Sequence, residues 1–204
     1  MLASKPYVIG LTGGIGSGKT EAARYLESLG AARFDADEVS RALTAPGGAA
    51  LPAIRAAFGE DVFQPDGTLD RRALGSVVFG NENARARLNR IIHPLVKQLT
   101  HRRIEEARLS GASLCVLDMP LLYEADMAGL CDCVWCVWLP RDEQLRRLMA
   151  RDGFTRQEAE ARIASQLSAD EKAARADVVI DTSGSIEYTK SMIPALYAKE
   201  LELA

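Results

Sequence analysis

No apolar run in the 204-residue sequence reaches the length of about 18–20 residues that a membrane-spanning helix requires. Residues 1–5 lack the charged and then apolar start of a secretory signal. The net charge of −3 provides no basic field that would hold nucleic acid through its phosphates. With 48% hydrophobic and 26% charged residues, these absences predict a cytoplasmic globular protein that binds neither membranes nor nucleic acid.

Cysteine is also scarce, with four residues at positions 115, 131, 133 and 136. Cys133 and Cys136 form a C-x-x-C pattern, which binds metals or carries out redox chemistry in other proteins. Both lie in an apolar run, residues 133–139, that is typical of a buried strand, where alternation directs them to opposite faces. We therefore interpret the cysteines as reduced core residues and expect no zinc site.

Five short apolar runs alternate with helical stretches, which is the pattern of an α/β fold with a five-stranded parallel sheet. Most runs are continuously apolar, as expected when helices cover both faces of the sheet. The runs are residues 7–12, 32–35, 114–118, 133–139 and 177–181. Capping-box spacing predicts two further short helices at 155–166 and 168–176.

Two of the connections between these runs are long, and they divide the chain into a core and two inserted segments. Residues 46–110 are mostly helical in pattern and too long for a simple crossover, so we expect an inserted helical domain. Pro94 interrupts its apolar stripe, and the helix should kink or restart there. Residues 141–175 are highly charged and arginine-rich, which is typical of a mobile lid. The core is then predicted to consist of 1–45, 111–140 and 176–204.

The strongest functional pattern is GGIGSGKT at residues 13–20, which matches G-x-x-x-x-G-K-S/T between a predicted strand and a predicted helix. In such a P-loop, backbone amides surround a β-phosphate and the helix N-terminus faces the anion. Lys19 is expected to bridge the β- and γ-phosphates, and the Thr20 hydroxyl to bind Mg²⁺. The predicted nucleotide contacts are Gly13, Gly14, Gly16, Ser17, Gly18, Lys19, Thr20 and, through its backbone amide, Glu21.

P-loops occur in nucleotide switches, motor ATPases and small-molecule kinases. A guanine-specific switch needs an N-K-x-D segment, which the sequence lacks, and a motor ATPase normally needs a larger chain. A helical insert and an arginine-rich lid favour a kinase, since kinases must exclude water from the phosphoryl group that they transfer.

Carboxylates follow two of the predicted strands. Asp37, just after the second strand, would lie where ligands bind in an open parallel sheet and could accept the proton of an attacking hydroxyl. Alternatively, Asp35 or Asp37 caps the helix that follows, and Arg41, one turn later, pairs with Asp37 or holds a substrate phosphate. Asp118 ends the third strand and either holds Mg²⁺ directly or through water, or forms a turn.

Basic residues are further candidates for contacts with the phosphoryl group or the substrate. Arg147 and Arg151 lie four residues apart on one helix face of the predicted lid and could neutralise charge on the transferring phosphoryl group. A solvated charged face is the alternative interpretation. His93 precedes Pro94 in the insert and is either a structural histidine or a substrate contact.

In combination, these motifs resemble the bacterial dephospho-CoA kinases. The matching segments are residues 11–20, Asp35-Ala36-Asp37 with Arg41, His93-Pro94-Leu95, residues 118–124, Arg147 with residues 151–153, Arg162 with Gln166, and residues 177–184. They follow the family's order over nearly the whole chain. The P-loop alone is shared by many unrelated proteins, whereas the combination is far more specific.

The resemblance implies transfer of the ATP γ-phosphoryl group to the ribose 3′-hydroxyl of dephospho-CoA, the last step of coenzyme A synthesis. It also implies a three-layer P-loop kinase fold, similar to nucleoside-monophosphate kinases, in which the insert binds the acceptor. The implied roles are Asp37 as base, Arg147 and Arg151 on the ATP phosphates, Thr182 and Ser183 at the adenine, water-mediated Mg²⁺ at Asp118, and acceptor contacts by Arg41, His93, Tyr123 and Glu124. Glu21 replaces the hydroxyl residue that is usual after the P-loop Ser or Thr, which should matter little because the contact there is made by the backbone. Thr182-Ser183 stands where asparagines are common, which leaves the adenine contacts open.

Two other interpretations remain at this point. A kinase of shikimate, gluconate or a nucleoside monophosphate would share the P-loop, although an insert of about 65 residues suits a bulkier acceptor. A nucleotide-dependent switch without an acceptor would leave the Asp35/Asp37 pair and the arginine-rich segment without a role.

Overall fold

The computed structural model describes residues 6–79 and 81–204. Residues 1–5, on which the expectation of no secretory leader rests, lie outside the described residues. None of the helices in the described ranges is long and apolar enough to cross a membrane.

Five strands form one sheet in the order β2-β3-β1-β4-β5, and the β1–β3, β1–β4 and β4–β5 pairings are parallel. The strands are β1 Tyr7–Gly13, β2 Ala32–Asp35, β3 Leu114–Asp118, β4 Cys133–Trp138 and β5 Val178–Asp181. Each lies within a residue of its predicted position, which confirms the α/β fold. The prediction succeeded because most of the strands are buried on both faces, and such strands have continuously apolar sequences.

The strand register brings the functional segments to one edge of the sheet. Leu11 of β1 pairs with Asp118 of β3, and Gly13 of β1 pairs with Val137 of β4. The P-loop that follows Gly13 therefore begins at the same carboxyl edge at which Asp118 ends its strand.

The part of the chain that the structure describes contains nine α-helices. They are α1 Lys19–Ser28, α2 Ala36–Leu43, α3 Leu51–Phe58, α4 Arg71–Val78, α5 Glu82–Leu109, α6 Arg141–Asp152, α7 Arg156–Ala164, α8 Ala169–Arg175 and α9 Ile186–Leu203. Both predicted capping boxes, Thr155 with Glu158 and Ser168 with Glu171, are present and begin α7 and α8.

Helix α5 does not restart at Pro94. It runs through the proline as one 28-residue helix, so that alternative of the sequence prediction is wrong. Proline removes one backbone donor and crowds the preceding turn, but the hydrogen bonds on either side are sufficient to keep a long helix continuous.

The main core lies between the sheet and helices α1 and α9. Ile9, Leu26, Trp135 and Ile193 are fully buried within it. The cysteines are free thiols, and burial raises the pKa of Cys136 to about 11. Burial, together with a nearby carboxylate, raises the pKa of Cys133 to about 12, so both thiols are protonated at neutral pH.

The chain divides into two compact units, one formed by residues 35–102 and the other by residues 6–34 with 103–204. In the first unit, the guanidinium of Arg71 donates to the carbonyl of Arg41, which ties α4 to α2 (3.2 Å). Arg87 donates to the carbonyl of Ala57, which ties α5 to α3 (2.9 Å). The acceptor-binding and lid roles of 46–110 and 141–175 stay predictions.

Candidate active site

The P-loop backbone turns through two glycines in the left-handed region. Gly16 has φ of 80° and Gly18 has φ of 84°, conformations in which a β-carbon would be strained. Gly18 occupies the position directly before α1, and the Ser17 amide donates to the carbonyl of Gly14 (3.1 Å). This path allows successive amides to face one centre at the N-terminus of the helix, where an anion is stabilised.

Two side chains from other elements hold this loop in place. Gln144 of α6, which is 3% exposed, donates from Nε2 to the carbonyl of Ile15 (2.6 Å). The Thr182 hydroxyl, directly after β5, donates to the carbonyl of Ser17 (2.8 Å). In a trans peptide the carbonyl and the next amide point in opposite directions. Binding these two carbonyls therefore fixes the directions in which the amides of Gly16 and Gly18 point.

Asp118 lies between two cations. Lys19 donates from Nζ to Oδ1 of Asp118, while Arg33 of β2 donates to Oδ2 from Nε (3.1 Å) and Nη2 (2.6 Å). The Asp118 side chain is 2% exposed, compared with 11% for Lys19 and 14% for Arg33. Both carboxylate oxygens are thus occupied by protein groups, and the P-loop lysine has a carboxylate partner.

A cavity of 570 Å³ opens beside the P-loop. One part of its wall is apolar and includes Ala22, Ile186 and Ile193. Another part is basic and includes Arg146, Arg147, Arg151 and Lys190. Gly16, Gly18, Glu21 and Thr182 also line it. A flat apolar ring attached to phosphates matches this combination of surfaces, and a nucleoside triphosphate is such a molecule.

Arg147 is fixed in this cavity by two contacts. It donates from Nε to Glu143 (2.9 Å) and from Nη2 to the carbonyl of Thr182 (2.6 Å). Arg146 and Arg147 lower the pKa of Glu143 to about 2, so the carboxylate that orients Arg147 stays ionised at physiological pH. Arg151, in contrast, is exposed and pairs with its neighbour Asp152 (2.8 Å).

The segment after β3 is bound to α8 through a buried ion pair. Lys172 is fully buried and donates to the carbonyl of Pro120 (2.6 Å) and to Oε1 of Glu124 (3.0 Å). The same Glu124 oxygen accepts from the amide of Leu167 (3.0 Å). Tyr123 is buried beneath the guanidinium of Arg175, which lies 4.0 Å from the ring centroid.

The two acidic residues at and just after the end of β2, Asp35 and Asp37, have different places in the structure. Oδ1 of Asp35 accepts from the amides of Asp37 (2.9 Å) and Glu38 (3.1 Å), so Asp35 is the N-cap of α2. Asp37 lies in the first turn of α2 and is exposed, as is Arg41 near its end. His93 is half-buried in α5, and desolvation lowers its pKa, so its ring is neutral at pH 7.

Comparison with known proteins identifies the family. A family model described as dephospho-CoA kinase matches residues 7–188. A curated dephospho-CoA kinase of Geobacter sulfurreducens is 47% identical over 192 residues, which cover 94% of this chain and 98% of that protein. The chain belongs to the dephospho-CoA kinase family.

Solved structures agree with this membership. A protein of Thermus thermophilus is 36% identical and superposes with a TM-score of 0.80, covering 96% of this chain and 98% of that chain. A dephospho-CoA kinase from Campylobacter jejuni, 23% identical, has a TM-score of 0.71 with coverages of 96% and 97%. At that identity, the second likeness concerns the fold alone.

Several residues expected from the dephospho-CoA kinase motifs lie together in the described structure. The P-loop, Asp118, Arg147 and Thr182 occur in one compact unit and are connected by the hydrogen bonds given above. Ser183 is exposed, and its amide donates to Asp181 (2.8 Å). The acceptor roles of Arg41, His93, Tyr123 and Glu124 stay predictions, because these positions alone do not define a bound acceptor.

Sequence reasoning did not single out Arg33, Gln144 and Lys172, whose side chains hold parts of the described structure together. Arg33 carried a usable signal, because a cation within a short strand otherwise suited to burial needs a partner. Gln144 and Lys172 lie in charged helical segments, where nothing in the sequence distinguishes a buried polar side chain from a solvated one.

We expect Lys172→Met to lower the free energy of unfolding by about 3 kcal/mol, because it removes one partner of a buried ion pair. In a chain of this size that corresponds to a decrease in Tm of about 6–12 °C, measurable by differential scanning calorimetry. A double variant, Lys172→Met with Glu124→Leu, should recover part of the loss, since no carboxylate is then left without its ammonium.

The matched control is Arg156→Met on α7, which removes an exposed ion pair with Glu160 (2.8 Å). It should change stability by less than about 1 kcal/mol. If both single variants melted at the same temperature, the Lys172–Glu124 pair would contribute no more than a surface pair.

Proposed function

We propose that this chain transfers the γ-phosphoryl group of ATP to the ribose 3′-hydroxyl of dephospho-CoA, in the cytoplasm, to give coenzyme A and ADP. ATP-dependent phosphorylation of dephospho-CoA, in coenzyme A biosynthesis, is the reaction of the family to which the chain belongs. The observation that carries the proposal is the P-loop, with Gly16 and Gly18 in the left-handed region, beside a cavity that has apolar and arginine-rich walls.

The geometry of the loop supports the proposed nucleotide site. The amides of residues 14–21 would surround the β-phosphate, and the base would enter the cavity beside Ala22 and Ile193. Arg147, which is oriented by Glu143, would neutralise charge on the phosphates. Lys19 would exchange its bond to Asp118 for the β- and γ-phosphate oxygens.

Magnesium is proposed to enter as part of the MgATP complex. The Thr20 hydroxyl, in the first turn of α1 and exposed, is suited to coordinate it next to the phosphates. We assign Asp118 a contact with the magnesium through a coordinated water: Oδ2 stays bonded to Arg33, and Oδ1, which Lys19 would release, can accept a hydrogen bond from that water.

The acceptor chemistry is assigned to Asp37. Since Asp35 supplies the helix cap, capping does not account for Asp37. An ionised carboxylate there would orient the ribose hydroxyl and accept its proton late in a loose phosphoryl transfer. Arg41 and neutral His93 are proposed to contact the acceptor, together with the segment that contains Tyr123 and Glu124.

The test is a panel of acceptors with the purified full-length chain, ATP and Mg²⁺, scored by release of ADP. We expect turnover with dephospho-CoA and none with its 3′-deoxy analogue, while a 2′-deoxy analogue should still react. Turnover with shikimate, gluconate or a nucleoside monophosphate alone would contradict the proposal. Slow hydrolysis that no acceptor stimulates would favour a nucleotide switch.

A further inference from the structure

Gln144 of α6 is a buried polar residue beside the P-loop to which neither the motif nor the reaction above gives a task. Its Nε2 donates to the carbonyl of Ile15, a residue 129 positions away in the chain. The peptide group that joins Ile15 to Gly16 has this carbonyl on one side and the Gly16 amide on the other. The bond to Gln144 therefore sets the orientation of an amide that is predicted to bind a phosphate.

The loop is fitted to this glutamine at Gly14. The P-loop motif leaves position 14 open to any residue, and Gly14 does not have the positive φ that favours glycine. A β-carbon at this position would overlap Nε2 of Gln144, whereas the β-carbon of Ala169 would lie at an ordinary distance of 3.8 Å. The close approach of the Gln144 amide, and not the path of the loop, thus accounts for a glycine at position 14.

The helix that carries Gln144 reaches the P-loop by a second route. Arg147, one turn later on α6, donates to the carbonyl of Thr182, and the Thr182 hydroxyl donates to the carbonyl of Ser17. Since Arg147 is proposed to bind the ATP phosphates, α6 would both orient loop amides and supply a cation for the same anion.

We propose that Gln144 is a positioning residue for the β-phosphate of the nucleotide: it holds the Ile15–Gly16 peptide group so that the Gly16 amide is already oriented when the phosphate arrives. The inference rests on the proposed nucleotide site. A glycine-rich loop loses much conformational freedom when it is ordered, so a loop that is held in advance binds its ligand more tightly. Without Nε2 of Gln144, this ordering would have to occur on binding.

A purely structural role is the other account of Gln144, since the same hydrogen bond joins α6 to the loop. Loss of a structural tie would lower the melting temperature and would affect all adenine nucleotides alike or not at all. A positioning role predicts a selective loss instead. ADP has a β-phosphate and should bind more weakly, whereas AMP, which has only the α-phosphate, should bind as before.

The test measures ADP binding to the full chain by isothermal titration calorimetry, and AMP binding by its displacement of ADP. We expect Gln144→Ala to bind ADP about tenfold more weakly than the unmodified chain, and AMP with an affinity within about twofold of the starting value. Gln64→Ala is the matched control, because it removes an exposed hydrogen bond to Asp70 in the insert (2.7 Å). It should leave both affinities unchanged.

A second variant tests the same contact from the side of the loop. In Gly14→Ala the new β-carbon takes the place of Nε2, so Gln144 has to leave the Ile15 carbonyl and ADP affinity should fall by a similar factor. In the Gln144→Ala background this overlap no longer exists. Gly14→Ala should then cost little further affinity, and the two losses should be far from additive.

Unchanged ADP affinity in Gln144→Ala would overturn the inference, as would equal losses for ADP and AMP or additive losses in the double variant. If Gln144→Ala does not fold, Gly14→Ala alone decides the question. A loss confined to ADP then supports the inference, and unaltered affinity, or an equal loss for AMP, refutes it. Absence of ADP binding by the unmodified chain would refute the proposed nucleotide site instead.

Discussion

Replacement of Asp37 by asparagine is expected to lower kcat for coenzyme A formation by a factor of about 10²–10⁴. Asparagine keeps the shape of the side chain and can still accept a hydrogen bond, but it cannot take the proton of the ribose hydroxyl. Since no contact of Asp37 with the nucleotide is proposed, the affinity for an ATP analogue should stay within about threefold of the starting value. Steady-state rates with dephospho-CoA, together with calorimetric titration, measure the two quantities.

Asp35→Asn is the matched control, because it makes the same chemical change two residues earlier. Asparagine caps helices as well as aspartate does, and its oxygen can accept from the amides of Asp37 and Glu38 in the same way. Activity and Tm should therefore change little. Near-normal turnover in Asp37→Asn would remove Asp37 from the mechanism, and a loss of similar size in both variants would indicate that α2 itself was disturbed.

The fold was predictable because its determinants are local. Most strands are short apolar runs, and α7 and α8 begin at capping boxes in which the Ser or Thr and the Glu lie three residues apart. The P-loop is also local, since its glycines, Lys19 and Thr20 are adjacent in the chain. For Pro94 the prediction was a kink or a restart of the helix, and the restart does not occur, because the hydrogen bonds around the proline in α5 outweigh one missing donor.

The support of the site was not predictable because it consists of pairs that are distant in the sequence. Gln144 binds a carbonyl 129 positions away in the P-loop, and Arg33 binds a carboxylate 85 positions away. Which polar side chain of a charged helix turns inward depends on the packed structure and not on the spacing of its own neighbours. The residues proposed to carry the chemistry can thus be identified from the motifs, while those that orient them can be identified only from the structure.

Lys19→Met is expected to lower the rate of phosphoryl transfer by a factor of about 10²–10⁴, through loss of the charge that stabilises the transferring phosphoryl group. Methionine keeps most of the unbranched stem, so packing around α1 should persist. Arg33 continues to donate two hydrogen bonds to Asp118, and the variant should therefore remain folded despite the loss of one partner. Single-turnover measurements with saturating MgATP and dephospho-CoA separate the transfer step from product release.

Lys199→Met provides the control, since Lys199 is an exposed residue of α9 and its loss should leave the rate unchanged. A folded Lys19→Met variant with an unaltered transfer rate would mean that the phosphates bind away from the P-loop.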